Sequence, residues 1–142
     1  MSAMDLNYHK VVQQWEDEHK RLVVLGTRVL KLYEEGDTEK TREALREFAQ
    51  AAREHFKSEF IQLTALFNSH EFTDRETKEA IRRFKTTFQE TQKTLLKFLA
   101  IHCRPGHPLD QQFITTFSTI MGLLGERVQF EESDLYRRLK IA

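Results

Sequence analysis

Apolar positions along the chain recur at steps of three and four. A first stretch presents Val12, Trp15, His19, Leu22, Gly26, Val29 and Tyr33 on one face, and a second presents Leu45, Phe48, Ala52, His55, Glu59, Leu63 and Leu66. A third carries Ile81, Phe84, Phe88, Thr91, Leu95 and Phe98, and a fourth Phe113, Phe117, Ile120, Leu124, Arg127, Glu131 and Leu135. That period belongs to a helix with one face turned to a core; no stretch alternates long enough for a strand. Turn signals separate the stretches: Gly36-Asp37, Asn68-Ser69-His70, and Cys103-Arg104-Pro105-Gly106-His107-Pro108. The pattern predicts helices over residues 7–35, 38–68, 74–102 and 109–139. Thr73 and Glu76 stand at capping-box spacing before the third helix, and Pro108 is expected to open the fourth. Four amphipathic helices joined by short turns pack most simply as an all-α, antiparallel up-down-up-down four-helix bundle, one domain over residues 1–142. Trp15, Phe48, Phe84, Phe88, Phe117 and Leu124 are expected in its core.

The stripes are interrupted at matching depth. His19, His55, Glu59, Thr91, Arg127 and Glu131 stand where Leu or Phe would continue the pattern. Ionisable groups in a core are costly unless paired, so these six are expected to share one buried polar layer. Arg127 is expected to be buried and bonded to Glu59, Glu131 or Glu132, closing the layer as a hydrogen-bonded network without a cofactor. The alternative is a site for one iron or zinc ion held by His19, His55, Glu59 and Glu132, a donor set such ions accept.

Composition narrows the function classes. Lys+Arg and Asp+Glu each number 22, a net charge of zero with neutral His, so neither a net-basic face for direct nucleic-acid binding nor a polybasic membrane anchor is expected. No apolar run is long enough for a membrane span, and the first twenty residues, charged throughout, do not read as a signal peptide. Cys103 is the single cysteine, which excludes an internal disulfide; a soluble cytoplasmic protein is expected. There is no Gly-rich phosphate loop and no G-x-S-x-G elbow. His9, His70, His102 and His107 fall in turns or at helix ends and read as surface residues. An enzyme is not expected.

His55-x-x-x-Glu59 resembles the "HFxxE" element of hemerythrin-like domains, and Glu18-His19 resembles their first-helix "EH". In that family, His and carboxylate ligands from four helices hold a non-haem iron centre. Here Thr91 stands in place of the third-helix histidine. Arg127, which cannot ligate a metal, begins the segment Arg127-Val128-Gln129-Phe130-Glu131-Glu132 that matches the fourth-helix "HIxxEE".

A second resemblance covers both ends of the chain. The run from His9 to Val23, with Trp15 at its centre, is similar to the opening helix of the regulator of sigma D (Rsd/AlgQ) family. Glu126-Arg127-Val128-Gln129-Phe130-Glu131-Glu132-Ser133-Asp134-Leu135 is similar to that family's last helix, arginine included, and His55-Phe56 matches its "GHF". The segment Ala49-Gln50-Ala51-Ala52-Arg53-Glu54 departs from the family's "D-Y-x-S-A-G". The resemblance implies an anti-sigma type of transcription regulator. It would bind the promoter-recognition domain (region 4) of the housekeeping sigma factor by occlusion. Because that domain is basic, acidic groups at Glu16, Asp17, Glu131, Glu132 and Asp134 are the expected partner-binding residues, and reversing Glu131, Glu132 and Asp134 to Lys is expected to weaken binding without loss of the fold.

Overall fold

The computed structural model describes residues 3–139, with side chains from Tyr8 onward; both ends of the expected 1–142 domain lie outside them. Helix α1 spans Ala3–Glu34, α2 Thr38–Ser69, α3 Arg75–His102 and α4 Gln111–Phe130. A turn of π-helix, Glu131–Leu135, and a last α-helical turn α5, Tyr136–Arg138, continue directly from α4. The described residues contain helices and no strand.

Each boundary has a local cause. Gly36, at φ +79°, takes the left-handed conformation that ends α1. Around it the amide of Asp37 reaches the Leu32 carbonyl and that of Gly36 the Tyr33 carbonyl, a Schellman closure. Asp37 then caps α2, its side chain accepting from the Lys40 amide at 3.0 Å. The cap of α3 is Asp74 rather than Thr73: its carboxylate accepts both the amide and the hydroxyl of Thr77, each at 3.0 Å. A carboxylate satisfies two donors and also favours the positive helix end, which a threonine hydroxyl does not. Likewise α4 opens with Asp110 accepting from the Phe113 amide, and Pro108 stays outside the helix.

Facing residues run in opposite senses on neighbouring helices. Trp15, His19 and Arg28 of α1 meet Gln62, His55 and Glu47 of α2. Phe56 and Phe67 of α2 meet Phe88 and Phe84 of α3, while Phe98 of α3 stacks on Phe113 of α4 and Arg83 lies over Phe130. Tyr33 and Phe113 join the far ends of α1 and α4. All six expected core residues are buried, and Phe48, Phe113 and Phe117 are fully enclosed. Gly26 lets the tip of Met121 lie over the α1 backbone, where an added Cβ would come within 2.3 Å of its methyl group.

The fourth helix departs from a uniform pitch. In the π turn the Tyr136 amide reaches the Glu131 carbonyl, five residues back instead of four. At the start of this turn two successive side chains, Glu131 and Glu132, both approach His19.

Candidate functional site

Five ionisable side chains are buried in one place: His19 from α1, His55 and Glu59 from α2, Arg127 from α4 and Glu131 from the π turn. Burial of Arg127 and its bond to Glu131, Nη2 to Oε1 at 3.3 Å, match the sequence reading. Thr91 does not belong with them. It is half-buried and lines a cleft between α3 and α4 with Thr87, Glu90 and Arg127. The side chain of α3 nearest the guanidinium is instead aromatic: Arg127 Cζ lies 5.0 Å from the Phe84 ring centroid and 4.7 Å from that of Phe88.

The two imidazoles face each other, Nε2 to Nε2, across 3.1 Å. Their other nitrogens are held by carboxylates: Glu18 lies 2.6 Å from His55 Nδ1, and Glu132 lies 3.3 Å from His19 Nδ1. Glu18 is off the inward stripe of α1, so helical spacing gave no sign of it; only its place before His19 in the "EH" pair did. Between the imidazoles and Arg127 stand two carboxylates that divide their oxygens. Glu59 Oε2 is 2.6 Å from His55 Nε2 and 3.7 Å from His19 Nε2, while its Oε1 is 3.8 Å from Arg127 Nη2. Glu131 Oε2 is 3.9 Å from His19 Nε2, and its Oε1 is on Arg127. Two imidazole nitrogens and two carboxylate oxygens thus converge, and Arg127 sits behind the carboxylates, on their outer oxygens.

The convergent atoms are not satisfied by one another. Neither oxygen of Glu59 accepts a well-aligned hydrogen bond, in spite of the 2.6 Å approach, and Glu131 Oε2, Arg127 Nη1 and the Tyr136 hydroxyl also lack partners. Burial works against a charged His55, but Glu59 and Glu18 outweigh it and raise its pKa above the usual 6.5. Burial would likewise raise the Glu59 carboxyl; His19 and His55 reverse this and hold it far below the carboxylate range. For Glu131 burial prevails, joined by the negative charge of Glu59 and only partly opposed by Arg127, so its carboxyl is pushed well above the usual range. The two central carboxyls are thus pushed in opposite directions, Glu59 down and Glu131 up.

Aromatic packing fixes the frame. The Trp15 indole donates to Gln62 Oε1 at 2.8 Å, and the Tyr136 ring lies between Trp15 and His19, nearly parallel to the imidazole. A cavity of about 40 Å³, lined by Leu22, Val23, Phe56, Met121 and Val128 among others, reaches His19, His55 and Glu131 from the α1–α4 side.

Of the five expected partner-binding residues, Glu131 is enclosed by the core. Glu131, 1% exposed, is a core residue; Glu132 is engaged by His19, and Asp134 is tied to Arg138 at 2.7 Å. Glu16, half-buried like Glu132 and Asp134, and Asp17, exposed and bonded to Gln13, complete that set. A lysine at 131 would place a second cation beside Arg127 inside the core, so reversing this cluster cannot leave the fold untouched.

The fold and centre together define an all-α bundle with an ionisable core. No family model, no curated protein and no solved structure matches the chain. No described helix is long and apolar enough to cross a membrane.

Proposed function

We propose that this protein is a non-enzymatic metal-binding bundle, holding a single divalent ion of the iron or zinc class as a sensor or store. The observation that carries the reading is the pair of Nε2 atoms facing at 3.1 Å while both Nδ1 atoms are turned to carboxylates. An imidazole whose Nδ1–H donates to a carboxylate presents a lone pair at Nε2, and this is how metal-binding histidines are oriented. Two facing lone pairs beside buried carboxylates need a positive charge between them, supplied by a metal ion or by protons.

The donor set fits an ion. His19, His55 and Glu59 offer ligand atoms within 4.8 Å of one another, and the unpartnered Glu131 Oε2 lies beside them, 3.9 Å from His19 Nε2. Ligand atoms that share a zinc or iron ion stand about 3–3.5 Å apart, and the spacings among His19, His55 and Glu59 run from 2.6 to 3.7 Å. Glu132, one of the four ligands expected from the sequence, is better placed to orient His19 than to bind the ion. Arg127 does not oppose the ion as its charge alone suggests, because it takes the outer carboxylate oxygens and leaves the inner ones free. When bound, the ion would supply the positive charge that protons on His55 and Glu131 supply otherwise.

The test is metal analysis of aerobically purified protein, and titration of chelator-treated protein with Zn²⁺ and Fe²⁺. One ion per chain, lost in His19→Ala and His55→Ala, is the expected result. Less than a tenth of an ion per chain, with no saturable uptake on titration, would refute it. Sigma-factor binding, which the resemblance implies, would have to do without Glu131, which the core encloses.

A further inference from the structure

The largest apolar side chains left exposed on α2 are adjacent: Phe60, 51% exposed, and Ile61, 57% exposed. They border a groove of about 560 Å³ between α2 and α3 that is also lined by Arg53, Phe56, Lys57, Gln92 and Leu96. Its floor is apolar, with Phe56 and Phe60 packed on Phe88 beneath. Its charged lining residues are both basic. Beyond the lining, exposed Arg46 stands seven residues before Arg53 and Lys85 seven before Gln92, each continuing its wall of the groove. Lys85 is held there over the Phe67 ring.

We infer that this groove is a docking site for an acidic amphipathic helix of a partner protein. The charge decides the occupant. A chain of zero net charge lines this apolar recess with two bases and no acid, so complementarity requires carboxylates beside the partner's apolar anchors. The shape decides the conformation. Two adjacent helices form a straight furrow, and the stretch from Arg53 to Ile61 covers about two helical turns, or ~12 Å. That length accepts apolar anchors at i, i+3 or i+4, and i+7 of a helix laid along it. The inference does not depend on the metal centre, and its face is opposite in charge to the one expected for a basic sigma domain.

Two synthetic amphipathic peptides test it on the intact protein. Both carry Leu at i, i+3, i+4 and i+7; one has Glu at the remaining positions and the other Lys. Fluorescence anisotropy of the labelled peptides reads the affinity, and circular dichroism confirms that each variant keeps its helix content. The Glu peptide is expected to bind at least about tenfold more tightly than the Lys peptide at low salt, with the preference shrinking as salt rises. Phe60→Ser with Ile61→Ser should abolish binding of the Glu peptide. Arg53→Glu with Lys57→Glu should invert the peptide preference. Equal affinity for both peptides, no saturable binding below about 1 mM, or binding unaffected by the Phe60/Ile61 change would overturn the inference. So would a concentration-dependent dimer that the same double change dissolves, because the occupant would then be a second copy of this chain.

Discussion

His19 and His55 meet Nε2 to Nε2 at 3.1 Å, and each has a carboxylate behind its other nitrogen. The relationship joins α1 to α2, and through Glu132 to the end of the fourth helix. It makes the centre of this bundle a place where positive charge must be supplied, and four expectations derive from it.

Glu131 and Glu132 should differ sharply in what they do for a bound ion. Glu131→Gln removes a converging oxygen and should abolish stoichiometric uptake, whereas Glu132→Gln loosens only the orientation of His19 and should weaken affinity about 10–100-fold. Competition against a chelator of known affinity distinguishes the two. Equal losses would place both residues in the same role.

Arg127→Met should destabilise the metal-free protein by about 3–5 kcal/mol, because two carboxylates would be left buried without their cation. Urea denaturation followed by circular dichroism measures it. Adding Glu131→Gln to Arg127→Met should recover part of the loss, since the pair would then be removed together. A double variant as unstable as the sum of the two singles would mean that Arg127 acts through Phe84 and Phe88 alone.

Stability of the metal-free protein should fall as pH rises from about 5 to 8. Glu131 and His55 both have raised pKa values in the folded state, so the native protein binds more protons than the unfolded chain above the usual values of 4.5 and 6.5. Where the native state binds more protons, stability declines with rising pH. Glu59 acts in the opposite sense: its lowered pKa contributes stability that is lost only in acid, as pH falls from its usual value toward its folded one. Glu131→Gln should therefore remove the decline that sets in above pH 4.5 and leave only the contribution of His55, which sets in above 6.5. A flat profile for the parent protein across this range would contradict the raised pKa of Glu131.

Charge reversal at the carboxyl-terminal end should separate core from surface. Asp134→Lys breaks an exposed pair with Arg138 and should cost less than about 1 kcal/mol. Glu131→Lys puts an unpaired cation next to Arg127 and should prevent cooperative folding. Thermal denaturation of the two variants side by side gives the answer.

The sequence by itself determined the four helices and their inward faces, because steps of three and four are a property of the chain that any packed helix must respect. It also marked His19, His55, Glu59, Arg127 and Glu131 as inward, since each breaks an apolar stripe. Only the tertiary structure decided what those residues do to one another. Helical spacing records the direction of a side chain but not which of its atoms meets which neighbour, so the division of each carboxylate between an imidazole and Arg127 could not be read from it. Thr91 kept the stripe spacing and yet faces the α3–α4 cleft, where the Phe84 and Phe88 rings occupy the space beside the guanidinium. Glu18 lay off the stripe and entered the centre because α1 and α2 approach closely there. The π turn at Glu131–Leu135 escaped notice because one residue inserted in a helix leaves no mark in composition. At its start Glu131 lies in the core beside Arg127, at the α-helical spacing the stripe already carried, and Glu132 stands against His19.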